Sequence, residues 1–164
     1  MYGRNRKLYG AVLTLFVFYS VGMLWLLFGR TKFTVYDSYW EQISMNMNLR
    51  PFRTIMEYVR LLGQETGDYG LSVSEINLYG NVVVFLPCGL FLPFLWKRLR
   101  SFRRYLLCFC AGLIAIELAQ LFTLRGICDI DDLILNVIGA SIGFAIWKII
   151  VVLHKLRTKE TQSK

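Results

Sequence analysis

Charge is scarce in this chain. Of its 164 residues only 18% are charged, while 55% are AVILMFWYC and the mean hydropathy is +0.47. An ordinary soluble domain is about 25% charged, so that class is excluded. A disordered chain needs low hydrophobicity and is excluded too. Histidine is rarer still: His154 stands alone beside basic residues and is assigned no role. Ser141, between Gly139 and Gly143, has no histidine partner, which argues against a Ser/His hydrolase. The sequence has no Gly-rich phosphate loop, internal repeat or low-complexity tract, and nothing in it resembles an NTP site. The four cysteines make no disulfide framework. Cys88, Cys108 and Cys110 lie in apolar runs and only Cys128 lies outside them. Cys108-x-Cys110 lacks metal-site spacing and a second ligand pair, so packing is the expected role of the cysteines within the runs.

The charges that are present are segregated. Residues 8–28 and 76–96 are uncharged, residues 105–124 are broken only by Glu117, and residues 133–153 only by Lys148. A bilayer core needs about 20 apolar residues of helix, so the expected fold is an all-α integral membrane protein, a single domain over 1–164 with four transmembrane helices. At 21 residues the first run is too long for a signal-peptide core of about 7–15, and no small-residue cleavage site follows it. The basic residues cluster in three segments: Arg4, Arg6 and Lys7; Lys97, Arg98, Arg100, Arg103 and Arg104; and the tail from Lys155. The loops at 30–75 and 125–132 are net acidic. Lys and Arg mark the cytoplasmic side, so both termini are expected there and the two acidic loops outside. The net charge of +8 is thus a topology signal and not a nucleic-acid footprint.

The 46-residue outer loop, Arg30 to Glu75, is no hydrophilic linker: it holds Phe33, Tyr36, Tyr39, Trp40, Ile43, Met45, Met47, Phe52, Ile55, Tyr58, Val59 and Leu62. Ser38-x-x-Glu41 and Thr54-x-x-Glu57 are capping boxes that predict two short helices. In the second, Ile55, Val59 and Leu62 share a face. Two readings stay open: amphipathic helices lying on the outer surface, or a folded cap over the bundle. Pro51 separates the two helices. Pro87 beside Gly89 predicts a kink in the second long helix, and Gly139-x-x-x-Gly143 predicts close helix packing.

Glu117 is the most informative residue. It lies roughly 10 Å below the outer end of its run at ~1.5 Å per residue. An ionised carboxylate there costs about 2.5 kcal/mol or more, so it lines a cavity, pairs with a cation or is protonated. Gln120 shares its face. Asn77 and Asn81, then Asp132 and Asn136, are i,i+4 pairs at the outer ends of the second and fourth runs, and Arg125, Asp129 and Asp131 lie in the short loop between the third and fourth. Three uses compete: acid/base chemistry on an extracytoplasmic substrate; a divalent cation held by Glu117, Asp129 and Asp132; or binding of a polar or lipid-linked ligand without chemistry. Against them stands a hydrogen-bonded network that only fixes helix packing, and for Asp129 or Asp132 an N-cap of the fourth helix.

Several segments together resemble the VanZ-like family of small bacterial membrane proteins. They are Asn48-Leu49-x-Pro51-Phe52, Asn81-Val-Val-Val-Phe85-Leu-Pro87-Cys-Gly89, Glu117-Leu-Ala-Gln120, and Asp129-Ile-Asp131-Asp132-Leu-Ile-Leu-Asn136-Val-Ile-Gly139. They occur in the family's order across roughly residues 45–145. Two positions depart: Leu113 stands where the family often has Ser, and Cys128 where an aromatic is common. The resemblance implies a bacterial cell-membrane protein, and for some members an association with resistance to teicoplanin and related glycopeptides. The combined expectation is a ligand site of Asn81, Glu117, Gln120, Arg125, Asp129, Asp132 and Asn136. Its partner would be a membrane lipid or lipid-linked envelope precursor, and no nucleic acid. No cofactor is expected beyond a possible divalent cation. The default is a non-enzymatic binding role, with a membrane-embedded enzyme using Glu117, or a small lipid transporter, as the alternatives.

Overall fold

The uncharged runs become helices because a backbone without water must satisfy its own N–H and C=O groups. The computed structural model describes residues 6–29, 38–61 and 73–162. Over these the order is α1 (Arg6–Phe28), α2 (Tyr39–Met45), β1 (Met47–Asn48), α3 (Arg53–Leu61), α4 (Val73–Leu95), a 3-10 turn (Lys97–Arg100), α5 (Phe102–Phe122), β2 (Cys128–Asp129) and α6 (Ile130–Gln162). The expectations for Arg4, for residues 30–37 and for 62–72, Leu62 included, lie outside the described residues.

α1, α4, α5 and α6 are each long and apolar enough to cross a membrane. Their bounds agree with the expected runs to within three residues, with one exception: α6 continues to Gln162 instead of stopping near residue 153. The extension is built from Lys, Arg and Glu, which favour helix without being apolar.

The spine of the bundle is the contact between α4 and α6. A methyl group on Gly139 would strike the Val82 carbonyl, one on Gly143 the Leu86 carbonyl, and one on Gly89 the backbone of Ala140 and Phe144. Glycine is required at these positions because two backbones meet there, so the Gly-x-x-x-Gly spacing is a packing signal. Around the spine Phe85, Tyr105, Phe109, Leu113, Ala140, Phe144 and Trp147 form the core. Tyr105 packs against Phe144, with ring centroids 4.8 Å apart and the planes tilted by 31°, and donates its hydroxyl to the Ala140 carbonyl at 3.0 Å. α1 is peripheral, with no buried residue. It attaches through the Tyr19 hydroxyl, which donates to the Val84 carbonyl of α4 at 2.7 Å. α4 runs as one helix through Pro87 and Pro93.

α2, β1 and α3 lie across one end of the bundle. β1 pairs in parallel with β2, Met47 with Cys128 and Asn48 with Asp129, a bridge that two-residue strands do not announce in sequence. The Tyr39 hydroxyl donates to the Phe122 carbonyl at 2.8 Å. Ser38 takes the N-cap position of α2, but its side chain makes no cap bond. Thr54 is not an N-cap: α3 begins at Arg53, and Thr54 lies in its first turn. The face also differs from the expected one. Thr54, Ile55, Tyr58 and Leu61 are partly covered, while Val59 is exposed. The cause is polar: Thr54 is drawn toward the aspartates of the neighbouring loop, which rotates Val59 outward.

Candidate functional site

The site is built where α6 begins. Asp129 Oδ1 accepts the Asp131 N–H at 2.8 Å, so Asp129 fills the N-cap role for α6. Its other oxygen accepts the Thr54 hydroxyl at 2.6 Å and the Asn48 amide at 3.0 Å. Asp131 is fully buried and reaches the same segment. It accepts the backbone N–H groups of Phe52 at 2.6 Å, Thr54 at 2.7 Å and Ile55 at 3.1 Å. A helix start leaves such donors without partners and presents positive potential, so Asp131 caps α3 from a different part of the chain. This contact holds Phe52 in the left-handed region, at φ 64°, which bulky residues seldom adopt.

Asp132 points to α4 and accepts the Asn81 amide at 2.5 Å. Asn77, one turn before Asn81, donates to the Tyr58 hydroxyl at 3.3 Å. Burial, followed by the Asp132 charge, raises the Tyr58 phenol above its ordinary range. Asn81, Asp132 and Asp129 therefore belong to one hydrogen-bonded seam joining α3, α4 and α6.

Gln120 and Arg125 serve α1. Gln120 Nε2 donates to the Leu27 carbonyl at 2.7 Å, and Arg125 Nη1 to the Phe28 carbonyl at 3.1 Å, which satisfies acceptors that a helix end leaves open. α5 ends in a Schellman-like turn. The Arg125 N–H bonds the Gln120 carbonyl at 2.8 Å and the Leu124 N–H bonds the Leu121 carbonyl at 3.1 Å, with Leu124 at φ 55° where glycine is usual. Arg125 is exposed.

Two buried polar atoms are left over. Glu117, only 7% exposed, has no hydrogen-bond partner for Oε2, and Asn136, 3% exposed, has none for Oδ1. Glu117 lies within electrostatic reach of Asp132 and Asp129. It also lines a cavity of about 180 Å³ together with Leu49, Ile114, Leu118, Cys128, Asp129, Ile130 and Leu133. Ile114 and Leu118 are exposed on the side of α5, so the cavity opens laterally through an apolar mouth. Burial, then the charges of Glu117 and Asp129, hold the Cys128 thiol above its ordinary pKa. A wider groove of about 480 Å³, lined by Tyr9, Leu95, Trp96, Lys97 and Arg98, lies at the other end of α4 and contains none of the expected site residues.

Among the described residues no three His, Cys, Asp or Glu side chains are grouped so as to hold a metal ion, and this includes Glu117, Asp129 and Asp132. The acids are spent on separate partners: Asp129 on Asn48 and Thr54, Asp132 on Asn81. The seven expected site residues thus occupy one end of the bundle in three roles: Asn81, Asp129 and Asp132 in the seam, Gln120 and Arg125 at the end of α1, and Glu117 and Asn136 as buried groups with an unpaired oxygen. Sequence reasoning left Asp131, Asn48 and Thr54 out of the set. Consecutive acids at a helix start were the available signal, since one carboxylate suffices as N-cap and another is free to cap elsewhere.

A family model described as VanZ/LLP1 matches residues 16–151, which includes every residue of this site. No curated protein and no solved structure matches the chain.

Proposed function

The chain belongs to the VanZ/LLP1 family, and we propose that it is a bacterial cell-membrane protein that binds a lipid or lipid-linked wall component and thereby modulates susceptibility to glycopeptide-type antibiotics. The distribution of charge supports the orientation. Lys7, Lys97, Arg98, Arg103 and Arg104 gather at the end of the bundle opposite α2 and α3, as cytoplasmic ends do. The aspartate seam and the lateral cavity then face outward, where wall precursors are displayed.

The observation that carries the proposal is Glu117. A carboxylate buried in an apolar helix is costly and marks a functional site by default. Here one oxygen stays unpaired beside a cavity, although Gln120, Asp129 and Asp132 nearby all have partners. The test is expression of wild type, Glu117→Gln and Asp132→Asn at matched membrane levels in a glycopeptide-susceptible bacterium. The wild type shifts the inhibitory concentration and Glu117→Gln abolishes the shift. If both variants leave susceptibility and lipid binding unchanged, the site assignment is wrong. The same unpaired oxygen supports a second reading, an enzyme with Glu117 as acid or base. A new product from a lipid-linked substrate, absent with Glu117→Gln, would favour it over binding alone.

A further inference from the structure

We propose that the groove between the start of α1 and the end of α4 holds an anionic phospholipid, with its phosphate at Lys97 and Arg98 and its chains against Leu95, Trp96 and α1. The groove lies at the opposite end of α4 from Glu117 and does not depend on the role of that residue.

Ring contacts between α1 and the end of α4 create the groove. Phe16 meets Trp96 edge to face with centroids 5.5 Å apart, and Phe91 in the same manner at 5.8 Å. Tyr9 shares a face of α1 with Phe16 and lines the groove with Leu95, Trp96, Lys97 and Arg98. α4 ends at Leu95, and the 3-10 turn that follows sets Lys97 and Arg98 directly after Trp96, where the apolar run stops. Leu95 is buried and Trp96 is exposed. One wall is therefore apolar and the other cationic. A volume of about 480 Å³ is equivalent to roughly sixteen water molecules at ~30 Å³ each, room for a phosphoglycerol head.

The charge of this groove is not neutralised from within the fold. Lys97 and Arg98 are exposed, and neither side chain has a hydrogen-bond or ion-pair partner among the described residues. Arg100, by contrast, donates through Nε to the Pro93 carbonyl at 3.3 Å. The sequence has no acid before Asp37 and none between Glu75 and Glu117, so neither α1 nor the link from α4 to α5 supplies a counter-charge. Glu160 lies on the extension of α6, roughly 20 Å along the helix beyond the core residue Trp147 at ~1.5 Å per residue. An anion from outside the chain completes the site. Arg forms paired N–H bonds to phosphate oxygens and Lys adds a point charge, and basic pockets between membrane helices take phosphate-bearing heads. The apolar wall selects a lipid over a soluble phosphate. Trp96 stands at the level where tryptophan marks the membrane interface, and α1 beside it has no buried residue. A free anion would gain nothing from that wall, whereas acyl chains cover it.

The test reconstitutes the full chain in vesicles of dioleoyl phosphatidylcholine in which a minor fraction carries bromine on its acyl chains near the glycerol, as either phosphatidylglycerol or phosphatidylcholine. Bromine quenches tryptophan at contact, and subtraction of a Trp96→Phe reference made for each variant isolates Trp96 from Trp25, Trp40 and Trp147. Each surface cation contributes about fivefold to the attraction of an anionic lipid. Phosphatidylglycerol should therefore be preferred at Trp96 by roughly 25-fold, and Lys97→Gln with Arg98→Gln should leave a preference of about threefold or less. Arg103→Gln with Arg104→Gln removes the same charge from the same end, outside the groove, and should lower the preference by no more than about threefold. Equal quenching by the two lipids overturns the inference. Equal loss in the two variant pairs also overturns it, because the attraction is then diffuse and not sited in the groove. Soluble glycerol phosphate should leave the quenching unchanged, and displacement of the brominated lipid by it would overturn the lipid assignment in favour of a free phosphate. Should the Lys97 and Arg98 variant fail to insert, the wild-type ratio and the Arg103 and Arg104 variant still decide.

Discussion

Replacing Gly139 by alanine adds one methyl group, and the bundle gives that methyl nowhere to go. Its position coincides with the Val82 carbonyl oxygen, and the next nearest atoms are also Val82 backbone. Side chains can rotate away from an intruder, but a helical backbone can yield only by moving the whole helix. α4 and α6 would have to separate along the seam where Gly89, Gly139 and Gly143 interlock, loosening the Phe85 and Phe144 core behind it. Overpacking of this kind costs about 1–3 kcal/mol, and because no flexible atom is available the upper half applies, about 2–3 kcal/mol, or roughly 30- to 150-fold in the unfolding equilibrium. For a chain of this length that is a fall in Tm of roughly 4–12 °C. Gly112→Ala in α5 is the control, since a methyl group there has no neighbour within 4 Å. It should be neutral or stabilising by up to about 1 kcal/mol, because alanine is the better helix former. The assay is thermal unfolding in one detergent, followed by circular dichroism with aggregation monitored. If Gly139→Ala melts together with Gly112→Ala, the two helices are not in backbone contact and the packing argument fails.

Removing the Asp131 carboxylate with Asp131→Ala should strip three acceptor contacts from the start of α3 and cost about 1–3 kcal/mol; trypsin should then cut faster at Arg53 and Arg60, and an unchanged rate would mean that α3 is held by other contacts. Asn81→Leu should weaken the joint between α4 and α6 by about 0.6–2 kcal/mol, and a Tm equal to wild type would show that the 2.5 Å contact to Asp132 adds nothing. Cys128 should react with a membrane-impermeant thiol reagent in intact cells, and absence of reaction on reduced, folded protein would count against the outward orientation. Because its thiol pKa is raised, the thiolate fraction and hence the alkylation rate should keep climbing as pH rises through and beyond the ordinary thiol range, whereas a plateau by pH 8 would contradict the burial and charge that surround it.

Much of this molecule is written in long-range composition. Uncharged runs of about 20 residues locate the four long helices because lipid admits little else, and Gly139-x-x-x-Gly143 locates their tightest contact because only missing side chains let backbones meet. What was not legible is what depends on pairing between distant segments. Met47 and Cys128 pair as strands although neither stands in a strand-like run. Thr54 has the local signature of an N-cap, yet its backbone N–H and hydroxyl are claimed by Asp131 and Asp129, so a tertiary cap replaces the local one and shifts the helix start. The extension of α6 to Gln162 escaped for the opposite reason: hydropathy marks where lipid ends, and a helix of Lys, Arg and Glu need not end there.

These pairings also sort the acids by use. Asp131 is consumed by α3, Asp132 holds Asn81, and Asp129 divides its two oxygens between the start of α6 and the Asn48–Thr54 pair. Each has a structural reason to be where it is, and together they latch the α2–β1–α3 segment and α4 onto α6. Glu117 has none. Helix packing would be served as well by leucine, its neighbour Leu113 being buried without difficulty, and burial of a carboxyl oxygen without a partner costs stability. A residue that costs stability where a hydrophobic one would serve is explained by something other than the fold. That separates two outcomes for Glu117→Leu: if the side chain is structural the bundle loses stability, and if it is there for a ligand the Tm rises by a few degrees while the shift in inhibitory concentration is lost. A variant that melts lower than wild type would return Glu117 to the packing network and remove the main support for the site.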